Sequence, residues 1–168
     1  MTIAKIPSRD LLEGFACKLG DVIIRAGGDE AWLAGALVLA EDAPVAVLFV
    51  APDAGSDRAV LARARGEALL WLSPLGPDEI VTGAEPPSAI EHGATRFDRM
   101  RRLPLHVERI GSGTPDVGDR VLFAEYTAST GERLVVLVGA SAPRAWRGVA
   151  LEEGMYDLLP GGKATLGE

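Results

Sequence analysis

The sequence is organised around the stretch Leu19-Gly20-Asp21-Val22-Ile23-Ile24, which returns in the second half as Val117-Gly118-Asp119-Arg120-Val121-Leu122. Glycine adopts backbone conformations that are closed to other residues, and an aspartate side chain can cap the turn beside it. A Gly-Asp pair is therefore a good start for a β-strand. The echo predicts two similar β-rich halves, either as two small barrels or as one pseudo-symmetric β-structure. The alternative is a coincidence between two common turn dipeptides.

Apolar segments separated by turn residues follow the first Gly-Asp pair at regular intervals. They occupy residues 22–24, 32–39 and 45–50. This spacing favours an antiparallel meander over a buried helix. The segments lack a clean alternation of apolar and polar residues, which predicts strands that are buried on both faces.

The second half contains the clearest predicted hairpin, formed by residues 120–127 and 133–138 with a turn at 129–132. Residues 96–110 precede it and also have a strand-like pattern. Pro104 interrupts that pattern, and since proline cannot donate a backbone hydrogen bond, it predicts a sheet edge or a bulge.

A few short helices are predicted beside the strands. Ser8 stands where an N-cap is expected, ahead of an N-terminal helix. Residues 57–65 have apolar residues at helical spacing, although a hairpin that turns at Arg65-Gly66-Glu67 is the alternative. Ser88-Ala89-Ile90-Glu91 has the spacing of a capping box. The predicted fold class is thus mainly β with a few short helices, as an antiparallel meander or barrel-like structure.

Proline and glycine are densest in residues 73–88, which predicts a connector between the two halves. The predicted organisation has five parts: an N-terminal helix or arm, a first β-rich half, a connector, a second β-rich half and a flexible tail, at residues 1–18, 19–75, 76–94, 95–160 and 161–168. One compact domain that contains both halves is the alternative.

The charge balance argues against a nucleic-acid partner, because 17 Lys and Arg against 24 Asp and Glu give a formal charge of −7. No apolar stretch is long enough to cross a bilayer, and the N-terminus lacks the apolar core of a signal peptide. We therefore predict a cytoplasmic protein without membrane insertion. Cys17 has no second cysteine to pair with and is expected to be a small buried hydrophobe.

Five short motifs carry a family resemblance: Gly20-Asp21, Trp32-Leu33-Ala34-Gly35, Trp71-Leu72, Gly118-Asp119, and Ala124-Glu125-Tyr126 ahead of Gly131. In these motifs the chain resembles the bacterial family called domain of unknown function 4178, and together they extend over most of residues 19–160. The chain departs from the family pattern at Val47-Leu48-Phe49, where a Trp-x-Glu-Tyr type of strand is expected. The resemblance implies a β-rich bacterial domain and supplies no activity.

No motif in the sequence is specific enough to predict catalytic residues, a metal or a cofactor. His92 and His106 are the only histidines, and neither stands at a metal-ligand spacing. Gly111-Ser112-Gly113-Thr114 lacks the lysine of a phosphate-binding loop. Gly139-Ala140-Ser141-Ala142-Pro143 lacks the second glycine of a nucleophile elbow. Both segments are therefore interpreted as loops.

One cluster of cationic residues has the chemistry to bind an anion or an acidic partner. It consists of Arg96, Arg99, Arg101, Arg102, His106 and Arg109, in a chain that is otherwise acidic. Guanidinium groups form paired hydrogen bonds with both carboxylates and phosphates. The alternative is that these arginines pair within the chain with its excess of Asp and Glu.

The sequence favours a non-enzymatic protein-interaction or accessory domain, which contacts another protein through exposed sheet edges and the arginine cluster. Such edges would also allow a homo-oligomer. The second hypothesis is a domain that binds a small anionic ligand between the halves through its arginines. The third is an enzyme whose acid and base are carboxylates such as Asp21, Asp119 or Glu125.

Overall fold

The computed structural model of this protein describes residues 12–52, 57–63, 67–80, 82–83, 85–140 and 142–160. These residues form twelve β-strands. Their bounds are β1 Val22–Arg25, β2 Glu30–Trp32, β3 Gly35–Ala40, β4 Pro44–Ala51, β5 Arg58–Arg63, β6 Leu69–Pro74, β7 Ala89–His92, β8 Thr95–Gly111, β9 Arg120–Ala128, β10 Arg133–Val138, β11 Arg144–Leu151 and β12 Tyr156–Leu159.

Eight of these strands form a closed antiparallel barrel. The order around the barrel is β3-β4-β5-β6-β11-β10-β9-β8, and β8 returns to pair with β3. The long strand β8 also pairs with β7, which lies outside the ring of eight. The predicted antiparallel, barrel-like architecture is therefore confirmed.

The barrel consists of two four-stranded meanders that are joined at two seams. Strands β3 to β6 form the first meander and β8 to β11 the second, and the seams are the pairings of β6 with β11 and of β3 with β8. Both meanders contribute to the same ring, so the two halves share one barrel. A closed ring leaves no edge strand within it.

Glycine stands at each seam, where two backbones approach more closely than a side chain allows. At Gly148 an added Cβ would lie 1.8 Å from the carbonyl oxygen of Trp71 on the neighbouring strand. At Gly35 an added Cβ would lie 2.1 Å from the carbonyl oxygen of Ser112. These contacts show that the seams require residues without a Cβ.

The barrel interior is filled by apolar side chains from all eight strands. Alternate residues of each strand point inward, as Leu37 and Leu39 do on β3 and Val135 and Leu137 do on β10. The residues between them point outward, and in most strands they are also buried, within two further apolar clusters. Strand β8 differs, since its outward Pro104, His106 and Glu108 are exposed. Burial on both faces, predicted from the missing alternation, is found for residues 35–39 and 45–50, but not for residues 22–24 and Trp32, which lie outside the barrel.

A three-stranded antiparallel sheet, which we call the small sheet, covers the outer face of the first meander. Its order is β12-β1-β2. Ile23, Ala31 and Leu158 are paired across the three strands and pack on the outward side chains of β3 to β6. Arg25 of the small sheet also lies over the ring of Trp71, 5.2 Å from its centroid. The small sheet is thus a second layer on one side of the barrel.

The segment between β6 and β7 covers the outer face of the second meander. Leu75 and Ile80 pack against the outward side chains of β9 to β11. The Tyr126 hydroxyl donates a hydrogen bond of 2.6 Å to the carbonyl of Pro87, and the Arg99 guanidinium donates one of 2.8 Å to the carbonyl of Pro86. This proline-rich segment therefore lies on the barrel as a cover.

The prediction of a few short helices is wrong for the residues that the structure describes. Of the segment 57–65, residues 58–63 form strand β5, and Ala89–His92 forms strand β7. Residues 12–20 form turns, while Ser8 lies outside the described residues. In β5 Ala59 and Leu61 face the interior while the residues between them pack under the small sheet, and burial on both faces favours a strand over an amphipathic helix. No helix in the described parts of the chain is long and apolar enough to span a bilayer.

The two Gly-Asp pairs share a turn conformation but start strands in different sheets. Gly20 and Gly118 both have positive φ angles, 91° and 89°. The first pair leads into β1 of the small sheet and the second into β9 of the barrel. The Asp21 carboxylate accepts a hydrogen bond of 2.7 Å from the backbone N–H of Lys18, as a cap does. The duplication of the two halves stays a prediction.

We expect Gly148→Ala to destabilise the protein by about 1–3 kcal/mol or more, because the new methyl group forces the β6–β11 seam apart. Gly83→Ala is the matched control, since nothing lies within 4 Å of the Cβ position there. Urea unfolding monitored by circular dichroism measures both variants. Equal stability of the two would show that the seam tolerates a side chain.

Burial raises the pKa of the Tyr126 hydroxyl from 10.0 to about 12. The folded state therefore holds this proton more tightly than the unfolded state does, and the stability that Tyr126 contributes is complete below pH 10 and is lost between about pH 10 and 12. Tyr126→Phe is expected to cost about 1 kcal/mol at neutral pH, because it removes the bond to Pro87, and to weaken this alkaline loss. Urea titrations from pH 8 to 12 test both effects; an identical pH dependence in the two proteins would contradict the second.

Candidate functional site

The six residues of the predicted arginine cluster do not form one surface. Arg96 pairs with Asp98 at 3.0 Å, and both side chains are exposed. Arg109 donates hydrogen bonds to the side chain and the backbone carbonyl of Thr114, at 3.1 and 3.2 Å. His106 is exposed on β8, opposite Arg120 of β9. These three residues occupy separate positions along a 17-residue strand.

A β-bulge at Met100 divides the arginines between the two faces of β8. The register shifts there, so that Arg99 pairs with Tyr126 and Arg101 with the preceding residue, Glu125. Arg99 and Arg102 consequently face outward, where Arg99 binds the carbonyl of Pro86 and Arg102 pairs with Glu85. These two residues hold the segment between β6 and β7 on the barrel.

Arg101 faces inward and reaches the end of the barrel interior. Its Nη2 lies 3.3 Å from Oε1 of Glu67, and its Nε lies 3.8 Å from Oε2 of Glu125. Arg101 is therefore the member of the predicted arginine cluster that lies beside a buried carboxylate, because the side chain of Glu125 is only 1% exposed.

The three carboxylates proposed as acid and base lie on different elements. Asp21 caps the turn ahead of β1, Asp119 precedes β9, and Glu125 points into the barrel. His92 bonds to Glu79 at 2.9 Å and to Arg147 at 2.7 Å. Among the residues that the structure describes, no three His, Cys, Asp or Glu side chains are grouped so that they could hold a metal ion.

The small sheet exposes a row of apolar side chains on the face that points away from the barrel. Val22 pairs with Leu159 on one side and with Trp32 on the other, so these three residues form a cross-strand row. Trp32 is 55% exposed and Leu159 is 52% exposed. Trp32 points away from the barrel because its neighbour Ala31 takes the inward position. We call this row, together with Ile24, the apolar face.

Carboxylates line one side of the apolar face and form what we call the acidic rim. Glu30 and Asp157 flank Ile24 in the neighbouring cross-strand row, and both are exposed. Asp29 continues this rim, with Arg25 3.9 Å away as a weak ion-pair partner. A cavity of about 370 Å³ opens beside Trp32 and is lined by Asp29, Glu30 and Pro52, among others. The rim therefore presents negative charge next to an exposed tryptophan.

Both outer strands of the small sheet are edges within the described chain. Strands β12 and β2 each pair with β1, and neither pairs with a further strand. An edge strand presents unpaired backbone N–H and C=O groups to a partner. The sequence did not reveal this arrangement, because β12 and β1 come from opposite ends of the described chain and only their pairing creates the face.

Comparisons of this chain with protein-family models, with curated proteins and with solved structures found no match.

Proposed function

We propose that this protein is a protein-interaction domain that binds its partner on the apolar face of the small sheet. The observation that carries the proposal is the outward row of Trp32, Val22 and Leu159, in which Trp32 and Leu159 lie on the two edge strands and are more than half exposed. Tryptophan is among the residues that contribute most to protein interfaces, because it buries a large rigid surface at a small cost in conformational entropy.

The acidic rim specifies the chemistry of the partner. A segment that pairs with β12 or β2 brings alternate side chains onto the apolar face, as in strand addition. An apolar side chain of that segment packs on Trp32, and a lysine or arginine two residues away reaches Glu30 or Asp157. The partner is therefore an extended basic and apolar segment of another protein. A second copy of this chain fits less well, because it would bring its own carboxylates against this rim.

The double variant Trp32→Ser, Leu159→Ser tests the surface directly. The protein is immobilised, incubated with native lysate, and the bound proteins are quantified by mass spectrometry. We expect at least one partner to lose affinity by about 30-fold or more, the effect of removing a binding hot spot of about 2 kcal/mol. The substitutions remove exposed side chains, so the melting temperature should stay close to that of the wild type.

Met100→Ser is the matched control, since Met100 is 46% exposed and lies on the bulge of β8. A partner that contacts the apolar face is retained by the control and is lost from the double variant. Glu30→Lys should weaken the same partner through charge. Identical sets of bound proteins for the wild type, the control and the double variant would refute the proposal, and a dimer in sedimentation experiments that the double variant abolishes would identify the partner as a second copy.

A further inference from the structure

Three buried polar atoms without a hydrogen-bond partner lie at one end of the barrel interior. They are Nε of Arg63, Oε2 of Glu125 and Nη1 of Arg133, and the fourth such atom among the described side chains is Nε1 of Trp71, on the outer face. The Glu125 oxygen has the guanidinium of Arg101 3.8 Å away, whereas the atoms of Arg63 and Arg133 are N–H donors. Buried donors in folded proteins nearly always have a partner, so two unpartnered donors at one end of the barrel indicate a place that favours an anion.

The strand pattern explains why charged groups meet inside the barrel. Each of the three residues stands two positions from an apolar residue of the interior, namely Leu61, Phe123 and Val135. Since side chains two apart share a face of a strand, all three point inward. Arg63 is 6% exposed and Glu125 is 1% exposed. We call these residues, together with Arg101 and Glu67, the barrel-end cluster.

The Glu67 carboxylate bridges two guanidinium groups at the surface of the barrel-end cluster. Its Oε1 lies 3.0 Å from Nη1 of Arg63 and 3.3 Å from Nη2 of Arg101. Behind it, Nη1 of Arg63 binds Oε1 of Glu125 at 2.7 Å, and Nη2 of Arg63 donates to the carbonyl of Ala68 at 2.7 Å. The side chain of Glu67 is 40% exposed. Its carboxylate thus lies in a solvent-accessible position where an oxyanion can pair with both guanidinium groups.

The cluster has a surplus of positive charge. It contains three arginines and two glutamates, in a chain whose formal charge is −7. Burial raises the pKa of Glu125, while Arg63 and Arg101 oppose that shift. Protonation of Glu125 would increase the surplus further, so the cluster favours an added anion over an added cation.

We propose that this end of the barrel binds a small oxyanion, a carboxylate or a phosphate, in the position that the Glu67 carboxylate occupies. Arg63 and Arg101 hold the oxyanion, as they hold the Glu67 carboxylate, and Arg133 adds positive charge near Glu125. Glu67 acts as a built-in competitor, which the ligand displaces toward solvent. This site is independent of the apolar face, since it uses the barrel interior and no residue of the small sheet.

Isothermal titration with sodium acetate and with sodium phosphate tests the site, at an ionic strength kept constant with sodium chloride. Glu67→Gln removes the competing charge, and this variant is expected to bind at least one of the two anions about tenfold or more tightly than the wild type. Asp98→Asn is the matched control, because it removes an exposed carboxylate that also pairs with an arginine. Its affinity should equal that of the wild type. The two anions distinguish a carboxylate ligand from a phosphate ligand.

Arg101→Gln, added to Glu67→Gln, is expected to reverse the gain by about tenfold or more. Arg101 is 36% exposed, so this variant should fold, and circular dichroism verifies it. Equal anion affinity of Glu67→Gln, Asp98→Asn and the wild type would overturn the proposal, as would a gain that survives the loss of Arg101. Absence of binding by Glu67→Gln would also overturn it.

Discussion

The structure depends on the close approach of backbones at the two seams of the barrel. At Gly148 and Gly35 the facing carbonyl oxygens occupy the space of a Cβ, and these contacts join two meanders into one ring. The small sheet packs on the outer face of the first meander, and the proline-rich segment between β6 and β7 packs on the outer face of the second. The apolar face and the barrel-end cluster follow from that arrangement, because the first lies on the outer layer and the second lies at one end of the barrel interior.

Much of the fold could be predicted because a strand that is buried on both faces has apolar residues at nearly every position. Residues 45–50, 120–127 and 133–138 lie within strands β4, β9 and β10, and their largely apolar character reflects an interior on one side and a covering layer on the other. The same character misled the interpretation of residues 57–65, where small apolar residues and arginines satisfy helical spacing as well as strand alternation. The choice between helix and strand depends on pairing with the neighbouring strands β4 and β6, which the local sequence does not show.

The candidate sites were harder to predict, because they depend on pairings between distant residues. One extra residue at Met100 sends Arg101 inward and Arg102 outward. Pro104 predicted an edge or a bulge in this strand, but it did not locate the bulge four residues earlier. Arg63 and Glu125 are 62 positions apart in the chain and meet only when the barrel closes. A signal was nevertheless present: a lone charged residue at an inward position of an otherwise apolar strand, as at Glu125, indicates a buried ion pair or a ligand.

The pairing of β1 with β12 has a consequence for the way in which the apolar face forms during folding. Val22 and Leu159 are neighbours in the small sheet although almost the whole described chain lies between them. Contacts between such distant segments form slowly, because the entropy of closing so long a loop is lost before the contacts are gained. The small sheet is therefore expected to assemble last, on a barrel that has already closed. A chain whose synthesis stops before β12 would build the barrel strands and still lack one edge of the apolar face, so under the proposed function it would not yet present the complete surface.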